Sequence, residues 1–216
     1  MTTAVRDSSV IAVFARAPEP GRAKTRLCPP CIPEEAAALA EAALTDTLEA
    51  VAATPAGRRV LALDGPPGRW LPVGIEVVPQ RGGSLDERLA AAFADVGGPA
   101  LLIGMDTPQA DPGLLHEALC DLARPGVDAV LGPADDGGWW ALGLVEPDPA
   151  DVLGVPMSTP WTGRAQRRRL LERGRRVSTL PPLRDVDTID DAWAVAAAAP
   201  GSHFATALAA LGALAR

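Results

Sequence analysis

Asparagine and tyrosine are absent from this chain of 216 residues, and of its 20 lysines and arginines only Lys24 is a lysine. Cysteine is scarce too. Cys28, Cys31 and Cys120 are too few for a disulfide framework. No apolar run approaches the length of a membrane span; Val10–Ala15, the longest near the N-terminus, is too short for a signal-peptide core and is followed by Arg16. These absences exclude the membrane-spanning and disulfide-rich secreted classes and imply a cytoplasmic protein. A net charge of −7 likewise argues against an overall attraction to nucleic acid or anionic membranes. A hydrophobic content of 48% excludes global disorder. The length suits one domain over residues 1–216, with a core at about 8–199 and a helical tail at 200–216.

The missing lysines carry information. Abundant alanine, glycine, proline and arginine suggest a coding bias that replaces Lys by Arg wherever either cation serves. A compact ammonium and a planar guanidinium differ when a point charge must fit among phosphate oxygens. Lys24 is therefore a candidate functional residue. Its surroundings agree: Ala17–Leu27 combines Gly21, the hydroxyl of Thr25, and the cations Arg22, Lys24 and Arg26, with Arg16 just before it. Amide donors, a point charge and a bidentate guanidinium are what a polyphosphate needs. The loop is not a Walker A motif, because no glycine precedes Lys24 and the spacing differs.

Two other clusters are weaker signals. Cys28-x-x-Cys31 is half a zinc site with no second pair, and its interior is Pro29-Pro30 rather than the start of a thioredoxin-like helix. Gly163–Arg176 holds seven arginines against Glu172, which reads first as a solvated helix face and second as an anion contact.

Apolar runs at Ser8–Ala15, Arg59–Leu63, Ile75–Val78, Ala100–Met105, Ala129–Leu131, Gly138–Leu144 and Val177–Leu180 predict strands. Helices are predicted at about 33–53, 84–96, 112–123 and 162–173, and from Thr188 onward apart from a break near Pro200-Gly201. Pro147–Pro160 reads as a mobile loop. Alternation of strand and helix implies an α/β protein: a three-layer αβα sandwich around a mostly parallel sheet. In such sheets ligands gather at the carboxyl ends of the strands. That points to the loops after Ala15, Val78, Met105 and Leu131.

Those loops hold the remaining candidates. Asp106 ends a buried strand, where a carboxylate can hold Mg²⁺ or Mn²⁺ against phosphates or cap the next helix. Asp135-Asp136-Gly137-Gly138 is a turn signal; Asp136 is a candidate base, with Gly137 and Gly138 beside an acceptor or sugar. Trp139 and Trp140 are adjacent, so on a strand they face opposite sides, and Trp140 is taken as the ring that meets the acceptor. Gly83 and Arg88, in Gln80–Arg88, lie where a base or ribose would meet a helix start, although Ser84 and Glu87 also read as a capping box.

Four blocks together resemble one family: Phe14–Leu27 with its Ala-Lys-Thr-Arg-Leu end, Gly104-x-Asp106-x-Pro108, Gly132–Gly138, and Asp185-Val186-Asp187-Thr188. They are similar to bacterial proteins labelled glycosyltransferases of the nucleotide-diphospho-sugar transferase superfamily, long known as a domain of unknown function. The resemblance implies a GT-A-type fold with a mixed sheet, a divalent metal, and a nucleotide or nucleotide-sugar substrate with a small-molecule acceptor. GT-A enzymes usually carry Asp-x-Asp where Gly104 precedes Asp106, so a second metal carboxylate is expected from Asp187 or, as the lesser candidate, Asp185. The Ala-Lys-Thr-Arg-Leu block is also similar to that of phospholactate guanylyltransferases, which keeps nucleotidyl transfer open beside glycosyl transfer and a non-catalytic nucleotide-binding role. Lys24, Arg26 and Asp136 are the candidate catalytic groups. The arginine-rich helix and alanine-rich tail leave room for a homodimer.

Overall fold

The computed structural model describes residues 9–214; Ser8, at the expected start of the first strand, and the last two residues of the tail lie outside them. Seven strands form one sheet: β1 (Val10–Arg16), β2 (Arg58–Asp64), β3 (Glu76–Pro79), β4 (Ala100–Gly104), β5 (Ala129–Pro133), β6 (Trp139–Leu144) and β7 (Val177–Thr179). Their order is β3-β2-β1-β4-β6-β5-β7. All run parallel except β6, which is antiparallel to both its neighbours. The helices are α1 (Pro33–Ala53), α2 (Leu85–Val96), α3 (Pro112–Leu122), α4 (Thr162–Glu172), α5 (Ile189–Ala198) and α6 (His203–Leu214).

Strand alternation sorts the core into layers. Ile11, Val13 and Ala15 pack with Leu44, Leu48, Leu115 and Leu119, on the face covered by α1 and α3. Val10 and Ala12 pack with Leu89, Phe93 and Leu170, on the face covered by α2 and α4. A third cluster joins Leu39 and Ala43 of α1 to Val195, Phe204 and Leu208 of the last two helices. The Asp46 carboxylate fastens this layer, accepting the backbone N–H groups of His203 at 2.8 Å and Phe204 at 2.9 Å. Among the described residues no helix is long and apolar enough to cross a membrane.

The topology decides where chemistry can occur. From β1 the chain moves outward to β2 and β3, then returns to β4 on the other flank of β1. Strand order therefore reverses between β1 and β4, and the loops leaving their carboxyl ends diverge to open a crevice. Because β6 is antiparallel, its first residue, Trp139, sits at this same edge. The bridge between Ala134 and Leu183 brings the segment that follows β7 there as well.

The arginine-rich segment and the expected mobile loop turn out to be one structure. Residues 149–151 form a 3-10 turn, and the side chain of Asp151 is buried. Its carboxylate meets Arg173 at 2.6 Å and Arg175 at 2.7 Å, while Arg173 also reaches Asp148 at 2.6 Å. Gln166 of α4 donates to the Asp151 carbonyl at 2.7 Å. Arg176 forks onto Asp128, and these groups hold the Asp128 carboxyl well below its usual range. Arg164, Arg167, Arg168, Arg173 and Arg176 are all exposed, as expected of the segment, but Arg173 and Arg176 hold aspartate partners on other segments.

Removing Asp151 would leave two guanidinium groups without their shared anion. Because both arginines keep partial access to water, Asp151→Ala is expected to destabilise by about 2–4 kcal/mol. Urea unfolding measures this, and a loss well under 1 kcal/mol would mean that the buried carboxylate does not hold the loop.

Candidate active site

At the carboxyl edge Lys24 draws three distant segments together. Its ammonium lies 2.8 Å from Asp106 Oδ2 and 3.6 Å from Asp187 Oδ1, and donates to the Val186 carbonyl. The backbone of Lys24 is left-handed, with φ 47° and ψ 40°. That conformation is costly for a residue with a Cβ and persists only where the surroundings enforce it. Leu27, fully buried at the end of the 3-10 turn Thr25–Leu27, shares an apolar cluster with Val186 and α1. Packing on both sides of the contact thus fixes the loop. The segment carrying Val186 is itself tied across the edge: Val186 N–H donates to Asp106 O at 3.0 Å, and Leu183 N–H to Pro133 O at 3.1 Å.

The side chain of Lys24 is 12% exposed. Burial alone would lower its pKa, but the charges of Asp106, Asp187 and Asp185, with the Asp106 hydrogen bond, outweigh that and hold it above the ordinary lysine value. Asp185 shows the opposite imbalance. Burial first, then the charges of Asp106, Asp136 and Asp187, push its carboxyl up to about 7. Asp106, Asp185 and Asp187 each offer an oxygen within 4.8 Å of the others. Hard oxygen donors with surplus negative charge suit Mg²⁺ or Mn²⁺. The capping alternatives fall elsewhere: Asp111 caps α3, accepting Leu114 N–H at 2.8 Å, and Thr188 with Asp191 caps α5. Gly104 also has a physical reason. A Cβ there would lie 2.8 Å from Asp106 Oδ1, so the Lys24-bound carboxylate occupies the space a first aspartate would need.

Two chambers meet at this carboxylate group. One, of about 310 Å³, is lined by Arg16, Arg22, Lys24, Thr25, Arg26 and Arg88 with Phe14, Met105, Asp106 and Asp187. Its cations already hold partners: Arg16 and Arg88 share Asp64 at 3.0 and 3.1 Å, Arg22 meets Glu19 at 2.8 Å, and Arg26 meets Asp187. Exposed pairs of this kind contribute little, so Arg22 and Arg26 can exchange a carboxylate for phosphate at small cost. The second chamber, of about 230 Å³, shares Phe14, Leu85, Met105 and Asp106 with the first. It extends past Asp136, Gly138, Trp139, Met157, Thr159 and Asp185.

Several expected contacts are placed differently. Gly21 makes a turn at φ 73° but does not line the cationic chamber. Gly83 is also outside it, its N–H donated to Glu87 Oε2 at 3.0 Å as part of the α2 cap. Gly137 packs against the backbone of Pro160, where a Cβ would meet the carbonyl oxygen at 1.9 Å, so it docks the turn rather than facing a ligand. Trp140 borders the second chamber, but it is turned into the core at 2% exposure, and its indole N–H donates to Pro181 O at 3.0 Å. The partly exposed ring is Trp139, on the opposite face of β6. Asp136 reaches the chamber, with Oδ1 accepting Gly138 N–H at 2.6 Å. Asp64 was not anticipated, and Gln80 only as the start of the Gln80–Arg88 segment; Gln80 ties β1 to β2 through the carbonyls of Ala15 and Ala62, both at 2.8 Å. An acidic or amide residue at the end of an apolar strand run was the available signal.

Residues 38–159 match the model of a family described as an uncharacterized protein conserved in bacteria, DUF2064. The chain belongs to this family. No curated protein matches it. Among solved structures it is similar to a protein of Desulfovibrio desulfuricans assigned provisionally as a nucleotide-diphospho-sugar transferase. The identity is 28% and the TM-score 0.76, covering 85% of this chain and 84% of that one. It shares its fold with 2-C-methyl-D-erythritol 4-phosphate cytidylyltransferase of Thermus thermophilus, at 16% identity, TM-score 0.52, and 89% and 98% coverage. The fold is also that of glucosyl-3-phosphoglycerate synthase of Mycobacterium tuberculosis, solved with Mn²⁺ and UDP, at 9% identity, TM-score 0.52, and 84% and 72% coverage. This DUF2064 member therefore has the fold of nucleotide-diphospho-sugar transferases and cytidylyltransferases.

Lys24→Arg tests the ammonium directly. A guanidinium is too broad for the space between Asp106, Asp187 and Val186 O, so nucleotide-dependent turnover is expected to fall about a hundredfold with an unchanged far-UV spectrum. Wild-type turnover in that variant would show that only the charge matters.

Proposed function

We propose that the protein is a metal-dependent glycosyltransferase that uses a nucleoside-diphosphate sugar. The observation that carries this reading is the asymmetry of the cleft. Lysine and arginine line only the chamber on the β1 side of the carboxylates; none lines the other. A diphosphate fits the cationic chamber, with Arg16, Arg22, Lys24, Arg26 and Arg88 as its contacts, and the transferred group then lies across the carboxylates. Nucleotidyl transfer to a phosphorylated acceptor would need cations on both sides.

Asp106, Asp185 and Asp187 would hold the Mg²⁺ or Mn²⁺ ion, which when bound supplies charge neutralisation for the diphosphate. The bond between the anomeric carbon and the diphosphate oxygen breaks, and its electron pair leaves with the nucleotide. The cationic loop stabilises that charge. The acceptor hydroxyl bonds to the anomeric carbon and gives its proton to Asp136, whose Oδ2 is not used by the Gly138 hydrogen bond.

Incubation with Mg²⁺ or Mn²⁺ and panels of nucleotide sugars and triphosphates tests the reaction. Nucleoside diphosphate released from a sugar donor is the expected product; pyrophosphate released from a triphosphate would overturn the reading. Separately, Asp106→Asn, Asp185→Asn and Asp187→Asn should each weaken Mn²⁺ binding about tenfold or more. Calorimetric titration checks this, and an unchanged affinity in all three would remove the ion from this site.

A further inference from the structure

We propose that Gln80 is a positioning residue: its amide fixes the guanidinium of Arg88 as a preformed phosphate contact, while Arg22 and Arg26 stay free to adapt. This deepens the reading of the cationic chamber as a diphosphate site and rests on it, but not on which bond breaks there.

The amide of Gln80 can stand only one way round. Its backbone N–H donates to Leu63 O at 2.9 Å, which seats the residue at the end of β3. Its Nε2 donates to Ala15 O on β1 and to Ala62 O on β2, each at 2.8 Å. Turned over, the amide would set an oxygen against two carbonyl oxygens. Oε1 is therefore left to accept, and it accepts from Arg88 Nη2. The same nitrogen donates to Asp64 Oδ2 at 3.1 Å. The guanidinium carbon lies 5.7 Å from the centroid of the Phe14 ring, a third restraint on its plane.

These hydrogen bonds use one of the three nitrogens of Arg88. Nε and Nη1 meet no acceptor among the described residues and remain for phosphate oxygens. Arg88 is also the most enclosed arginine lining the chamber. Its side chain is 19% exposed, against 44% for Arg16, 55% for Arg22 and 67% for Arg26. Holding an arginine in one rotamer before the ligand arrives removes an entropy cost that binding would otherwise carry. The Nε2 hydrogens of Gln80 are both engaged, so its effect on a phosphate passes through Arg88.

Calorimetric titration of the full chain with magnesium pyrophosphate tests the coupling. Arg88→Met should weaken binding about tenfold or more, and Gln80→Met about three- to tenfold. The double variant should bind no worse than Arg88→Met alone, because Gln80 then has nothing to position. A residue that only tied the strands would weaken binding by the same factor in both backgrounds. Nuclear magnetic relaxation of the arginine Nε–H groups gives a second measurement that needs no Gln80 variant. Before ligand is added, the Arg88 signal, identified by its loss in Arg88→Met, should show an order parameter of about 0.8, and those of Arg22 and Arg26 below about 0.6. No loss in Gln80→Met, losses that multiply in the double variant, or an Arg88 signal as mobile as that of Arg26 would overturn the proposal and leave the phosphate chamber standing. Absence of pyrophosphate binding by the wild type would overturn the chamber reading and this proposal with it.

Discussion

An ammonium group closed in by Asp106, Asp187 and the Val186 carbonyl holds the functional edge together. Without it, two carboxylates at the end of a buried strand and on a neighbouring segment would repel one another across a partly dehydrated gap. With it, burial that would weaken a lone lysine becomes the source of a strong local attraction, because the same loss of water strengthens the Coulomb term. The left-handed backbone at Lys24 and the packing of Leu27 with Val186 follow as conditions of that contact. An arginine reaching the same carboxylates would need a wider opening between β1 and β4. The chain's one lysine thus stands where a compact ammonium fits between two carboxylates.

The same contact divides the cleft. Lys24 and Arg26 turn the loop side cationic, while Asp106, which borders both chambers, joins Asp136 and Asp185 on the other side, where no lysine or arginine lines the wall. Burial first, and the neighbouring carboxylates second, raise the pKa of Asp185. A divalent cation would offset their charge without displacing Lys24 from Asp106, since a carboxylate can bridge two cations. A cationic wall on one side and a wall without lysine or arginine on the other is the division that results.

Much of this could be read from residue patterns. Apolar strand runs and cap residues located nearly every element, because burial on both faces leaves little choice of residue. Lys24 and Asp106 were legible because each departs from its surroundings: one by composition, the other by ending an apolar strand with a charge. Which of the two adjacent rings stays partly exposed was not legible. Trp139 and Trp140 both begin a strand buried on two faces, and the register irregularity at Gly132 and Pro133 sets which ring turns inward. Gly132 then admits Trp140, whose indole lies where a Cβ would stand, at 2.4 Å. Spacing cannot state such a parity. Nor could it show that the arginines after Gly163 bind Asp148, Asp151 and Asp128 rather than water, because those partners lie on segments that meet only in the folded chain.

The glycine pair shows how a motif can be functional without touching a ligand. Gly137 and Gly163 let two backbones approach until Gly163 N–H donates to Gly137 O at 2.8 Å, and a Cβ at Gly163 would meet Gly138 O at 2.3 Å. That approach seats the first turn of α4, with Thr159 and Thr162, as the wall of the second chamber opposite the carboxylates. Larger residues would push the wall outward and widen the space around Trp139. The close approach at these glycines therefore positions the part of the chamber wall that carries Thr159 and Thr162.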